Sequence, residues 1–403
     1  MMGRIGLGTA IAFLAGMLSA SPVVAQNAPG VTKTSIKIGN TIPYSGPASA
    51  YAAVGKGDAA YFKMINDQGG VNGRKIDFIS LDDGYSPPKT VEQTRRLVER
   101  DQVAFIFNSL GTPPNSAIQK YLNDHKIPQL FIATGADKWG NYKEFPWTMG
   151  WQPSYRIEAQ IYAKQILAEK PDGKIGILYQ NDDFGKDYIL GVKDVLGAKF
   201  DKMVVTASYE VTDPTIDSQA ESLKSAGVSA LIAAVTPKFA AQMIRKVSEM
   251  DWKPLFFLSN VSISVGAVIE PAGPERAVGI ITAAYLKDPG DPTWANDPGM
   301  QTYKEFFKKY LAGADVSDIG YEFGYSASMT LVQVLKQCGG DLSRENVMKQ
   351  ATNLHDLQIP TLLPGITIDT SPTNYHPIRK SQLARWNGKH WELFGKVIEG
   401  AGT

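Results

Sequence analysis

Residues 104–135 read AFIFNSLGTPPNSAIQKYLNDHKIPQLFIATG. An apolar run, Val103 to Phe107, meets a polar Gly/Pro-rich turn from Asn108 to Asn115. A helical pattern follows from Ser116 to His125, then a second apolar run from Gln129 to Ala133 that stops at Thr134-Gly135. That order is one βαβ unit. A right-handed crossover makes the strands parallel and brings both loops to one carboxyl edge. Ligands of open parallel sheets bind at that edge. Asn108, Ser109, Leu110, Gly111 and Thr112 should therefore face the same crevice as Ala133, Thr134 and Gly135. Neither loop holds an acid, a base or a thiol. Hydroxyls, an amide and N–H groups at a helix start can hold an anion such as a carboxylate, but cannot break bonds. Plain βα loops of a parallel sheet would look the same.

Outward from this unit the same alternation continues. SIKIGN (35–40) reads as a strand, and a helix follows with Ala53, Gly57, Ala60, Tyr61 and Met64 on one face. Lys75 to Leu81 is a strand and Lys89 to Arg100 a helix, so residues 35–135 form a doubly wound α/β series. The Trp- and Pro-bearing segment 140–155 breaks the pattern. A second series follows, with strands at 174–180, 202–209, 229–235 and 254–260 and helices at 186–197, 216–226 and 239–250. After Val278 come a strand at 279–286, helices at 301–312, 321–337 and 343–352, and three alternating stretches, 366–369, 381–386 and 390–397, that read as antiparallel strands. The helical part should return to the first lobe and the last strands should pack on the second. Several chain crossings, with a cleft between the lobes, would result.

The 403 residues are 43% hydrophobic and 20% charged with net charge +1. That is a globular composition with no electrostatic case for nucleic acid. One cysteine, Cys338, excludes an intramolecular disulfide and a Cys-rich zinc site, and the four histidines lack metal-ligand spacing. Arg4, the apolar stretch Ile5 to Leu18 and the small residues ending Val23-Val24-Ala25 have the order of a secretory signal peptide, with cleavage expected near Ala25 and release into the periplasm. The apolar run is shorter than the ~20 residues that span a bilayer.

Other motifs carry less chemistry. Gly55-Lys56-Gly57-Asp58-Ala59-Ala60 fits G-x-G-x-x-A, but it does not follow a strand directly as a dinucleotide site requires, and close helix packing is the simpler role. Asp82-Asp83 and Asp182-Asp183 end strands and suit N-caps better than a cation site. No G-x-S-x-G elbow is present. Tyr44, Tyr51, Tyr85, Trp151, Phe184, Tyr285 and Tyr325 fall in loops or at element ends. There they could wall a small organic ligand, or simply pack.

Taken together, these stretches resemble the periplasmic solute-binding proteins of hydrophobic amino acid uptake ABC transporters, the leucine/isoleucine/valine-binding type. The likeness rests on IKIGNTIPYSGPASAYAAVGKGDAAYFKMINDQGGVNGRKIDFISLDDGYSPPKTV, GTPPNSAIQKYLNDHKIPQLFIATGA and YQNDDFGKDY, and spans nearly the whole mature chain. It implies a type I periplasmic binding fold: two doubly wound parallel-sheet lobes joined by three hinge crossings, with residues 26–147 plus 283–363 in lobe 1 and 148–282 plus 364–403 in lobe 2. It places a ligand carboxylate on Leu110 to Thr112 and Ala133-Thr134, a ring at Phe184, and second-lobe contacts at Thr236 and Asn260. With the loop residues Tyr44, Tyr51, Gly135 and Trp151, these make the expected binding set. Two departures stand out. Leucine-type receptors carry an acid at the position of Asn260 to hold the ligand ammonium, and they carry a first-lobe disulfide. Asp182 or Asp183 could supply the missing acid, or the ligand could be an amine-free hydrophobic acid.

The resulting expectation is a monomeric receptor without cofactor or metal, handing a small carboxylate ligand to the membrane permease of an ABC transporter. A sensing module for a membrane receptor shares the fold, and a secreted enzyme on a similar scaffold is the third reading.

Overall fold

The computed structural model describes residues 28–400. The expected export segment, residues 1–25, lies outside them. The first sheet is built from β1 (Ser35–Ile42), β2 (Lys75–Asp82), β3 (Phe105–Phe107), β4 (Gln129–Ile132) and β5 (Thr148–Gly150). Its order is β2-β1-β3-β4-β5, and every pairing is parallel. The connecting helices are α1 (Ala52–Asp67), α2 (Pro87–Arg95) and α3 (Thr112–Asp124). The expected helix at 116–125 thus starts four residues earlier. Pro113 and Pro114 are suited to a first turn, where no intrahelical N–H is needed. β5 lies within the segment that broke the pattern and past residue 147, yet it pairs with β4 in this sheet.

The second lobe opens with α4 (Tyr155–Glu169), followed by β6 (Ile175–Gln180), α5 (Asp183–Leu196), the single turn α6 (Phe200–Met203) and β7 (Val204–Tyr209). Next come α7 (Asp217–Ser225), β8 (Ala230–Ala234), α8 (Pro237–Glu249), β9 (Leu255–Leu258), the short α9 (Glu270–Ala272) and β10 (Ile281–Ala284). Fully buried β8, ALIAA, reads as the continuous apolar run that a strand covered on both faces must have. The chain then forms α10 (Pro298–Tyr310), α11 (Ile319–Cys338) and α12 (Arg344–Ala351), and ends in β11 (Lys380–Trp386) and β12 (Trp391–Glu399). The seven-stranded order is β12-β11-β10-β9-β8-β6-β7, with every pairing parallel except those that β11 makes with β10 and β12, which are antiparallel. The stretch 366–369 is not a strand. It makes one isolated bridge, Leu357 to Ile368, and its other backbone bonds go to turns.

Helix α11 is laid directly on α1. A Cβ on Gly57 would stand 2.6 Å from the Tyr321 carbonyl oxygen, so the glycine permits backbone contact. This is the packing role of the G-x-G-x-x-A motif. Tyr61 of α1, Tyr303 and Phe306 of α10 and Tyr325 of α11 interlock with ring centroids 4.7–6.2 Å apart. Such pairs contribute about 0.5–1.5 kcal/mol each beyond area burial. They hold the returning helices on the first sheet. The chain crosses back to the second sheet only for its last two strands.

Candidate ligand-binding site

A cavity of about 100 Å³ lies between the carboxyl edges of the two sheets. The first lobe contributes Tyr51, Val54, Tyr85, Leu110, Gly111, Thr112 and Ala133, and the second Tyr155, Phe184, Thr236 and Asn260. Tyr285, Glu322 and Phe323 close it on the hinge side. The lobes also touch beside the cavity. Asp137 N–H donates to Asp187 Oδ2 at 2.7 Å, Lys138 pairs with Asp183 at 3.2 Å, and Ser264 donates to Asp318 at 3.0 Å.

The first-lobe cradle is made by the ends of β3 and β4. Leu110 bridges to Ala133 in parallel register. Phe131, inside β4, has φ 51°, at a shift of register between Gln129 and Ile132. That bulge re-aims the strand end carrying Ala133 and Thr134. Gly111 has φ +98°, and a Cβ there would run into the Tyr85 ring, so only glycine lets that ring close the wall. The backbone offers fewer donors than expected. Pro113 and Pro114 have no N–H, Ala133 N–H donates to Ser109 O, and Thr134 N–H donates to Ile132 O. Thr112 therefore supplies the first-turn N–H, at the positive end of the α3 dipole, together with its hydroxyl. That hydroxyl lies 2.5 Å from the Thr134 hydroxyl. Thr134 itself is behind the wall and orients Thr112.

The second-lobe wall is aromatic. Phe184 leans on Tyr155 with centroids 4.7 Å apart, and Tyr155 stacks on Tyr188 at 5.8 Å. Burial raises the phenols of Tyr51, Tyr85 and Tyr155, which remain neutral donors. Asn260, just past β9, is held by the buried Glu158 of α4. Its N–H donates to Oε1 at 2.9 Å and its Nδ2 to Oε2 at 2.7 Å. Tyr162 donates to the same carboxyl. Both Glu158 oxygens accept in this arrangement, so the Asn260 amide turns its nitrogen to Glu158. The Asn260 Oδ1 is left buried without a partner on the cavity wall. Burial pushes Glu158 up to about 7.

Of the expected set, Tyr51, Leu110, Gly111, Thr112, Ala133, Phe184, Thr236 and Asn260 line the cavity. Four do not. Tyr44 turns into the first lobe, where its hydroxyl meets Ser80 at 2.6 Å and its ring covers Gly55. Trp151 is fully buried against Phe323 and donates its Nε1–H to Thr330 at 3.0 Å, pinning the first crossing to α11. Gly135 makes room for Pro153 and the Tyr155 ring. Thr134 stands one layer back, as above. Neither substitute acid is on the wall. Asp182 caps α5, accepting from Phe184 N–H at 2.9 Å, and burial pushes it up to about 6. Asp183 faces Lys138.

Tyr85, Tyr155, Tyr285 and Glu322 complete the walls and were not in the set. Tyr85 follows a strand end, so the edge argument reaches it. Tyr155 and Glu322 read as ordinary helix positions. Among the described residues no group of three or more His, Cys, Asp or Glu could hold a metal, and no helix is long and apolar enough to cross a membrane.

Two parallel-sheet lobes that enclose an aromatic cavity have the architecture of type I periplasmic binding proteins. Residues 35–390 match the family described as periplasmic binding protein, and the chain belongs to that family. The Leu/Ile/Val-binding protein homolog 1 of Brucella suis is 26% identical over 322 residues, 77% of this chain and 80% of the relative. A branched chain amino acid ABC transporter protein of Thermus thermophilus with bound valine superimposes with TM-score 0.81 at 16% identity, over 92% of this chain and 98% of that one. A solute-binding protein of an ABC transporter from R. palustris, in complex with benzoate, gives TM-score 0.76 at 18% identity, over 91% and 98%. The family and these neighbours are substrate-binding proteins, not enzymes.

Proposed function

We propose that this chain is the exported, monomeric substrate-binding receptor of an ABC importer, cleaved after Ala25, which captures a small hydrophobic carboxylate by lobe closure and delivers it to the membrane permease. The observation that carries this reading is the interlobe cavity. Its walls are largely apolar and rich in aromatic rings, with the Thr112 donors on one lobe, the Asn260 amide on the other and Glu322 on the hinge side. Charge-assisted bonds from Thr112 suit a carboxylate, and the rings suit an apolar body. Position 260 carries no acid, and Asp182 and Asp183 are engaged elsewhere. A ligand α-ammonium would be desolvated beside Asn260 without a counter-charge, which favours an acid with no α-amino group over an α-amino acid. The benzoate complex of the R. palustris neighbour is in line with that choice. Binding energy then closes the lobes and expels water.

Calorimetry on the purified protein tests this. Benzoate- or cinnamate-type acids should bind about tenfold or more tighter than leucine, a gap of about 1.4 kcal/mol. Tight leucine binding would overturn the exclusion of an α-amine, and no binding of either class would overturn the carboxylate reading. N-terminal sequencing of the exported form should begin at Gln26.

A further inference from the structure

Glu322 is the most conspicuous polar group in the cavity. It lies in the first turn of α11, is fully buried, and lines the hinge side of the cavity beside Tyr285, Leu286 and Phe323. Both carboxyl oxygens lack a hydrogen-bond partner. Other acids on this wall are satisfied by the chain. Asp288 accepts from Gly290 and Trp391 N–H, and Asp318 accepts from Gly320 N–H and Ser264. Lys287, the nearby cation, is spent on Asp297 at 2.8 Å and Pro360 O at 2.7 Å. A buried carboxyl with no hydrogen-bond donor is costly, and only the charges of Lys287 and Lys304 oppose that cost.

We propose that Glu322 forms a second polar subsite, which takes a cationic N–H donor at the end of the ligand remote from the carboxylate held at Thr112. The proposal rests on the carboxylate reading above and narrows it to ω-amino or aminoalkyl-aryl acids. The layout supports it. Thr112 opens the cavity at the first sheet's edge, while Glu322 sits against the second crossing, residues 284–288. Tyr285 lines the same cavity, its phenol raised by burial, with the charges of Tyr155, Glu158 and Glu322 adding to the effect. An amine on the α-carbon would lie beside uncharged Asn260, whereas an amine at the far end meets a carboxyl. Burial raises Glu322 well above its ordinary range, with the charge of Asp288 adding to the effect and Lys287 opposing it. The empty site therefore holds a proton on Glu322. An arriving ammonium displaces it to solvent, leaving a carboxylate–ammonium pair in a dry pocket.

The test compares isosteres by calorimetry on the full chain: 4-(aminomethyl)benzoate against 4-ethylbenzoate, and ω-amino fatty acids of rising length against the matched n-alkanoates. For the best-fitting length, the amine should bind about tenfold or more tighter and release about one proton, read from the dependence of the enthalpy on buffer. Glu322→Gln should collapse that preference, and Glu322→Leu should reverse it. Equal or tighter binding of the apolar isosteres by the unaltered protein would overturn the subsite and leave the carboxylate reading standing. Failure of both series to bind would overturn the carboxylate reading, and the subsite with it. The isostere ratio needs no variant, so a poorly folding substitution does not remove the test.

Discussion

Asn108 and Asn260 each stand just past the carboxyl end of a strand, β3 in one lobe and β9 in the other, and make the same kind of contact at different places in the two sheets. Each gives its side-chain amide to a buried carboxyl from the first helix of its lobe. Asn108 donates to Asp58 of α1 at 2.9 and 3.0 Å, and Asn260 to Glu158 of α4 at 2.7 Å. Each leaves its Oδ1 without a partner. The difference is what covers them. Returning helix α11 closes over the first pair, and Ser328 adds a third bond to Asp58 at 2.9 Å. Among the described residues no helix returns over the second pair, and Asn260 lines the cavity. One device for tying a sheet edge to a helix is structural in one lobe and presents an acceptor to ligand in the other.

The sharpest way to break that comparison is to remove each carboxyl. Asp58→Ala would strand two buried donors, on Asn108 and Ser328, at about 1–3 kcal/mol each. Urea denaturation should show a loss of about 2–6 kcal/mol. A loss below about 1 kcal/mol would mean that the first pair is not structural.

In the second lobe the largest effect should come from Asn260→Asp. The new acid would face Glu158 within hydrogen-bonding distance and approach the ligand carboxylate. Affinity for an amine-free acid should fall by about 2–5 kcal/mol. Leucine affinity rising instead would show that the cavity takes an α-ammonium.

Glu158→Gln sharpens the contrast through pH. Glu158 sits at about 7 when folded against 4.5 ordinarily. The folded chain therefore keeps a proton that the unfolded chain releases above about pH 4.5. Stability from this group is complete below that value and is lost as pH rises through about 7. Between those limits the wild type should lose about 2–4 kcal/mol relative to the Gln variant, at about 1.36 kcal/mol per pKa unit. A stability difference that stays constant across that window would remove Glu158 as the source. The variant should also flip the Asn260 amide, because the new glutamine NH₂ would donate to it.

The smallest effects separate the wall from the layer behind it. Thr112→Val should weaken carboxylate binding by about 1.5–3 kcal/mol, the range for a bond to a charged group. Thr134→Val, one layer back, should cost about 0.5–1.5 kcal/mol, as for an ordinary hydrogen bond. Equal losses in titration calorimetry would show that both hydroxyls reach the ligand.

Much of this molecule was legible from local pattern. The apolar runs around residues 103–107 and 129–133, and their counterparts after residue 174, specify parallel strands, because only strands buried on both faces read as unbroken apolar stretches. Alternation of strand and helix then gives two doubly wound lobes and puts Leu110, Gly111, Thr112, Ala133, Phe184, Thr236 and Asn260 at their carboxyl edges. Even the shortage of backbone donors at α3 is written in Pro113-Pro114. Side-chain direction was not legible. Tyr44, Tyr51, Tyr85 and Trp151 look alike in sequence, yet Trp151 is drawn into the α11 interface and Tyr44 onto Gly55, while Tyr51 and Tyr85 face the cavity. Nor could the sequence pair Asn260 with Glu158, 102 residues away, or leave Glu322 bare in an amphipathic helix. Strand and helix follow from nearest-neighbour chemistry along the chain. Which buried polar group finds a partner, and which is left for a ligand, depends on surfaces that meet only when the returning helices and the second lobe close around them.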